Sequence, residues 1–218
     1  MTVNGRFLAA IATCSLLGAC ASPQPVPHTG LASAPYLKPN AEDDSGNIPY
    51  RYSTQANWAT YSKVIIDPVV AYRGTDNQFG DMSESDRAAL AQYTQSQFTA
   101  ALAKRFAITN TPGPDTLRIT LTLTGAAIST PVLSTFAHLD MAGNVYNGVQ
   151  AVRGKEGMMT GWVMYAAEIR DTSTGQLLEA FETKQYPNAF NVMATFGSLG
   201  AAKVGIDKGA DTLVAQLK

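Results

Sequence analysis

Cysteine, histidine and long apolar runs are what this 218-residue chain has least of. Its two cysteines, Cys14 and Cys20, both fall in the first twenty residues, so the remainder holds no disulfide. No Cys or His spacing matches a zinc site. There are two histidines, His28 and His138, which leaves few candidates for proton transfer. Net charge is −1, and basic residues are not clustered as a nucleic-acid surface requires. Gly154-Lys155 lacks the preceding glycine of a phosphate-binding loop. The apolar stretch Phe190–Ile206 is interrupted by Asn191 and Lys203 and falls short of the roughly 20 residues that span a bilayer. Metal, nucleotide and nucleic-acid chemistry, and any cofactor, are therefore not expected.

The first twenty residues carry the clearest signal. Arg6 and the terminal charge precede an apolar core, Phe7 to Ile11 through Leu16-Leu17, and small residues Gly18 and Ala19 lead to Cys20. That order is a secretory signal peptide rather than a fold element. Its close, Leu17-Gly18-Ala19-Cys20, resembles a bacterial lipoprotein signal, in which the cysteine thiol takes diacylglycerol and becomes the first residue. The competing reading is an ordinary signal cut near Ala21. Two or three acyl chains, palmitate among them, would hold the chain firmly, at roughly 0.8 kcal/mol per buried CH₂. Asp does not follow Ala21, where Ser22 stands, and by resemblance to Gram-negative sorting the address is the outer membrane, facing the periplasm.

Three segments follow: a signal at 1–19, a lipidated tether at 20–57 and a single domain at 58–218. The tether is marked by Pro23, Pro25, Pro27, Pro35, Pro39 and Pro49, which disfavour packed structure, and docking is expected only from about residue 48. The domain opens with a strand at Tyr61–Tyr72, bulged or unpaired at Pro68. Ser83 and Asp86 resemble a capping box for a helix reaching Phe106, with Leu90, Thr94, Phe98, Ala101 and Leu102 inward. Leu117–Thr124 alternates apolar and polar, which reads as a half-buried strand. Gly161–Arg170 and Leu177–Tyr186 form a hairpin across a turn in which Asp171 and Gly175 supply the turn chemistry. A final helix is expected from Thr195 to Leu217. The expected fold is α/β of the α+β kind: a two-layer sandwich of a mainly antiparallel four-stranded sheet with both helices on one face, in the order strand, helix, strand, strand, strand, helix.

Between residues 130 and 160 lies a glycine-broken excursion, long for a connection without a role. Val132, Leu133, Phe136, Leu139 and Tyr146 in it are the candidate interaction surface. Gly197, Ala201, Gly205 and Gly209 recur every four residues and form a candidate packing strip, seating the final helix on the sheet or first helix, or meeting a second copy. Ser134, His138 and Asp140 do not fit a relay, because on a helix Asp140 points away from the other two. Asp67 reads as an acceptor of backbone N–H groups at the bulge, and Glu42-Asp43-Asp44 as a solvated run.

Thr29-Gly30-Leu31 with Tyr36-Leu37-Lys38-Pro39, then Trp58, Tyr61-Ser62-Lys63-Val64-Ile65-Ile66-Asp67-Pro68-Val69 and Glu168-Ile169-Arg170-Asp171-Thr172-Ser173-Thr174-Gly175-Gln176-Leu177-Leu178, resemble in sequence and order the bacterial lipoproteins grouped as "domain of unknown function 3313". The resemblance implies a lipoprotein with an α/β domain and supplies no activity. The final helix departs from it, having glycine spacing where the family tends to carry tryptophan near a basic run. The expected function is non-enzymatic: an outer-membrane-anchored periplasmic module that binds or assembles with another envelope component, its partners being membrane lipid through Cys20 and an envelope protein. The alternatives are a carrier of a small apolar ligand and a ring-forming subunit of an export machine, with a homo-oligomer left open.

Overall fold

Alternation at Leu117, Ile119, Leu121 and Leu123 makes one face of a strand wholly apolar, and these four side chains lie at the centre of the core. The computed structural model describes residues 22–128, 161–188 and 197–218. Strands β1 (Lys38–Pro39), β2 (Tyr50–Ser53), β3 (Lys63–Ile66), β4 (Val70–Ala71), β5 (Ala107–Ile108), β6 (Thr116–Ala127), β7 (Trp162–Asp171) and β8 (Leu177–Gln185) form a single sheet. Its order is β1-β2-β8-β7-β6-β3-β5, with β4 also on β6. Pairing is antiparallel from β1 to β6 and parallel where β3, β4 and β5 join. The sheet is therefore mixed and eight-stranded, not the mainly antiparallel four-stranded sheet expected. Of the added strands, β1, β2 and β5 are too short to show a strand pattern, and β4 is split off from β3 within the expected Tyr61–Tyr72 strand.

Pro68 explains one irregularity. Ile66 pairs with Ile119 and Val70 with Thr122, so β3 to β4 takes one residue more than β6 does across the same span. That bulge sits where proline cannot donate to a ladder. At the hairpin, Gly175 has φ +72°, and Asp171 Oδ1 accepts from the Ser173 and Thr174 N–H groups at 2.8 and 2.9 Å.

Helix α1 (Glu84–Leu102) buries Leu90, Ala91, Thr94, Phe98, Ala101 and Leu102. Ser83 Oγ accepts from the Asp86 N–H at 3.1 Å, which caps the first turn. The helix stops at Leu102 rather than Phe106, and Phe106 is buried beside β5. Helix α2 (Gly200–Gln216) begins later than the expected Thr195. Both helices meet the same side of β7. The Phe98 ring stands edge-on to Tyr165 at 5.4 Å, and Gly209 abuts the Tyr165 hydroxyl. The Tyr93 hydroxyl joins them by donating to Asp207 Oδ1 at 2.9 Å.

The opposite face of the sheet is covered too. Residues 22–36 lie across it and shield Thr124, Met164, Ala166, Ala180, Glu182 and Lys184. The segment expected to be an extended tether, docked only from about residue 48, is instead packed on the domain from Ser22 onward. Through β1 and β2 it also completes one edge of the sheet. Its prolines permit this because the strap binds through side chains and isolated backbone groups of its other residues, and needs no continuous ladder.

Candidate functional site

The strap is fixed to the sheet by a series of polar contacts along its length. His28 Nδ1 lies 3.1 Å from Glu182 Oε1, and both side chains are 0% exposed. Tyr72 closes over the histidine, ring centroids 5.0 Å apart, and its hydroxyl accepts from the Gly30 N–H at 3.0 Å. The Ser33 N–H donates to Glu168 Oε1 at 2.6 Å, and the Thr29 N–H donates to Asp76 Oδ2 at 3.2 Å. At the far end Lys184 Nζ donates to Ser22 Oγ at 2.6 Å and to the Pro23 carbonyl at 3.0 Å.

Burial raises the Glu182 carboxyl above its ordinary range, and the neighbouring His28 opposes that shift. Glu179 is raised for the same reason, against Arg51 at 2.6 Å. Asp171, at the other end of the sheet, is held well below the carboxylate range by the hydrogen bond from the Ser173 hydroxyl, with further bonds from the Tyr61 hydroxyl and the Thr174 N–H. Tyr61 is pushed up to about 12, chiefly by burial. An imidazole and a carboxylate sealed from solvent have no route to a substrate, so His28–Glu182 acts as a clasp.

The Ser22 end of the strap is also where the sheet opens. Trp162, Met164 and Tyr186 form a second apolar cluster there, and Lys184 Nζ sits 4.9 Å from the Trp162 ring centre. Beside them is a cleft of about 440 Å³ lined by Pro23, Phe79, Met82, Ala126, Ile128 and Trp162, with Asp81 and Asp86 also on its wall. The space between sheet and helices, where a carried ligand was expected, is filled in the described structure by Leu90, Phe98, Leu121, Phe181 and Ile206.

Cys20 with Leu17, Gly18 and Ala19, and the candidate surface Val132, Leu133, Phe136, Leu139 and Tyr146, lie outside the described residues, as do Ser134, His138 and Asp140. Of the small-residue strip, Ala201, Gly205 and Gly209 are buried on α2. A Cβ on Gly205 would stand 2.8 Å from the Gln185 carbonyl oxygen. This strip faces its own sheet. Gly197 precedes the helix with φ +79° and does not join it. Asp67 meets side chains, not the backbone N–H groups expected: the Thr120 hydroxyl donates to it at 2.7 Å, and Arg118 Nε is 3.8 Å away. Asp43 binds the Ser45 N–H and hydroxyl in a turn, so the acidic run is partly structural.

Among the described residues no three His, Cys, Asp or Glu side chains converge as a metal site needs, and no helix is long and apolar enough to cross a membrane. Sequence reasoning missed the strap's anchors on β8. Their signal was Glu182 and Lys184, two charged residues close together in a nine-residue strand that is buried throughout.

Residues 27–213 match the family model described as "Protein of unknown function (DUF3313)". The chain belongs to that family. The match begins within the strap, one residue before His28, and extends into α2. No curated protein matches the chain. Among solved structures, the chain is similar to the PelC dodecamer from Paraburkholderia phytofirmans at 12% identity and TM-score 0.38, covering 74% of this chain and 94% of that one. It is also similar to a Xanthomonas campestris protein of the DUF330 family at 8% identity and TM-score 0.37, covering 75% and 88%. At such scores nothing about function passes from them to this chain.

Proposed function

We propose that this protein is a lipoprotein of the outer membrane, thioether-linked to diacylglycerol at Cys20. Its domain faces the periplasm and binds or assembles with another envelope component. The observation that carries this reading is Leu17-Gly18-Ala19-Cys20 behind an apolar run, placed two residues ahead of a chain that is folded from Ser22 onward. Sealing of the His28–Glu182 pair supports a binding role over a catalytic one. Labelled palmitate should enter the wild-type protein and not the Cys20→Ser variant, which should also lose its outer-membrane fractionation. A Cys20→Ser chain that matures and fractionates unchanged would overturn the anchor. Crosslinking in intact cells should then recover a second envelope protein, and recovery of monomer under several chemistries would remove the binding role.

A further inference from the structure

Between Ser22 and Tyr36 the strap has no acidic or basic side chain except His28. That one group is sealed against Glu182, with Nδ1 3.1 Å from Oε1 and both side chains at 0% exposure. A sealed pair of this kind costs least when it is neutral overall, which means one proton between the two. Removing that proton leaves a buried anion. A second proton leaves a buried imidazolium with an unsatisfied N–H, because His28 Nε2 has no hydrogen-bond partner among the described residues.

We infer that the His28–Glu182 pair is a one-proton latch, which docks the strap while the two side chains share a single proton and releases it when they hold none or two. Release frees residues 22–36 and uncovers Met164, Ala166 and Ala180. Both groups then meet water and take ordinary values, about 6.5 for histidine and about 4.3 for glutamate. Above about pH 6.5 the released pair holds no proton and the docked pair holds one. Docking therefore takes up a proton and weakens about tenfold for each unit of rising pH. Below about pH 4.3 the released pair holds two, so docking expels one and weakens as pH falls. Between these values the proton counts match and docking is tightest. Burial raises the Glu182 carboxyl, the direction that retains the shared proton.

Among the described residues, each element packed around the pair contributes a polar or charged neighbour. Tyr72 and Asp76 come from the segment before α1. Asp76 is held below the ordinary carboxylate value, chiefly by a hydrogen bond from Tyr72, so it is ionised on both sides of neutrality. Glu168 on β7 accepts from the Ser33 N–H, and its other oxygen is 3.7 Å from Arg170. Tyr50 on β2 stands opposite Glu182 in register, and Arg51 beside it is paired with Glu179. Lys184 on β8 holds Ser22 and Pro23. From β6 the neighbour is the Thr124 hydroxyl.

Amide hydrogen exchange on the full chain tests the latch. His28 and Ser33 carry the buried N–H groups of the strap. Their protection, corrected for intrinsic exchange and read where opening is at equilibrium, should be flat from pH 5 to 6. It should fall about tenfold between pH 7 and 8, while Leu121 and Ala167 at the centre of the sheet keep theirs. Protection that is flat from pH 5 to 9, or that rises above pH 7, would overturn the latch. So would a fall shared equally by Leu121 and Ala167. In Glu182→Gln the docked pair is neutral without a proton, so the response should reverse, with no loss from pH 7 to 8 and loosening below about pH 6.5. A Glu182→Gln chain with the wild-type profile would place the pH effect on another group and overturn the latch. The wild-type profile decides the matter even where that variant does not fold.

Discussion

At the scale of single residues, the His28–Glu182 clasp joins two positions 154 residues apart in sequence. Removing one member of a buried pair strands the other, at a cost of about 3–5 kcal/mol. Glu182→Ala should lose stability in that range by urea denaturation, and Glu182→Gln less, because its amide keeps a bond to the imidazole. His28→Ala should be milder in acid. Glu182 has a raised folded-state pKa, so the native state binds a proton more tightly than the unfolded chain does. Its stabilisation is present below the unfolded value and is lost as pH rises through the folded one. The urea midpoint deficit of His28→Ala should therefore be larger at pH 8 than at pH 5. Asp171 works in the opposite direction. Its folded pKa is depressed, so its contribution is present above the ordinary carboxylate value and disappears as pH falls through the folded one. Asp171→Asn should be less stable at neutral pH and show a flatter acid limb.

Among the elements, those with a strict local pattern were legible. Ser83 as cap, Leu90 to Leu102 as the inner face of α1, the alternation of β6 and the Asp171–Gly175 turn each depend on near neighbours in sequence. Helix α2 was legible as a helix but not in its contacts, since small residues at four-residue spacing suit a sheet, a helix or a second copy alike. Gly205 decides this, because its missing side chain leaves room for the Gln185 carbonyl. Gly205→Ala should cost about 1–3 kcal/mol through overpacking and leave the oligomeric state unchanged by light scattering. A variant that keeps its stability and changes its mass would reassign the strip to contact between copies. Strands β1, β4 and β5 have two residues each, which is too short for any periodicity to register.

For the whole molecule, the strap turns a two-layer arrangement into one in which both faces of the sheet are covered. Deleting residues 22–36 from the soluble chain should cost at least about 3 kcal/mol, because it leaves Glu182 unpaired and uncovers Met164 and Ala166. A flexible tether in the same position would cost nothing measurable, and thermal melting of the two chains separates these outcomes.

Local sequence by itself determined the capped first helix, the central strands and the hairpin, because each is specified by residues within a turn or two of one another. Tertiary structure alone decided that the proline-rich segment is a strap, that Glu182 and Lys184 are inward anchors, and that the glycine strip seats on the sheet. The first two depend on contacts between positions more than a hundred residues apart, and the third on the packing of Gly205 and Gly209 against strands earlier in the chain. A charged residue on a strand reads as solvent-facing until the segment that covers and pairs with it is in place.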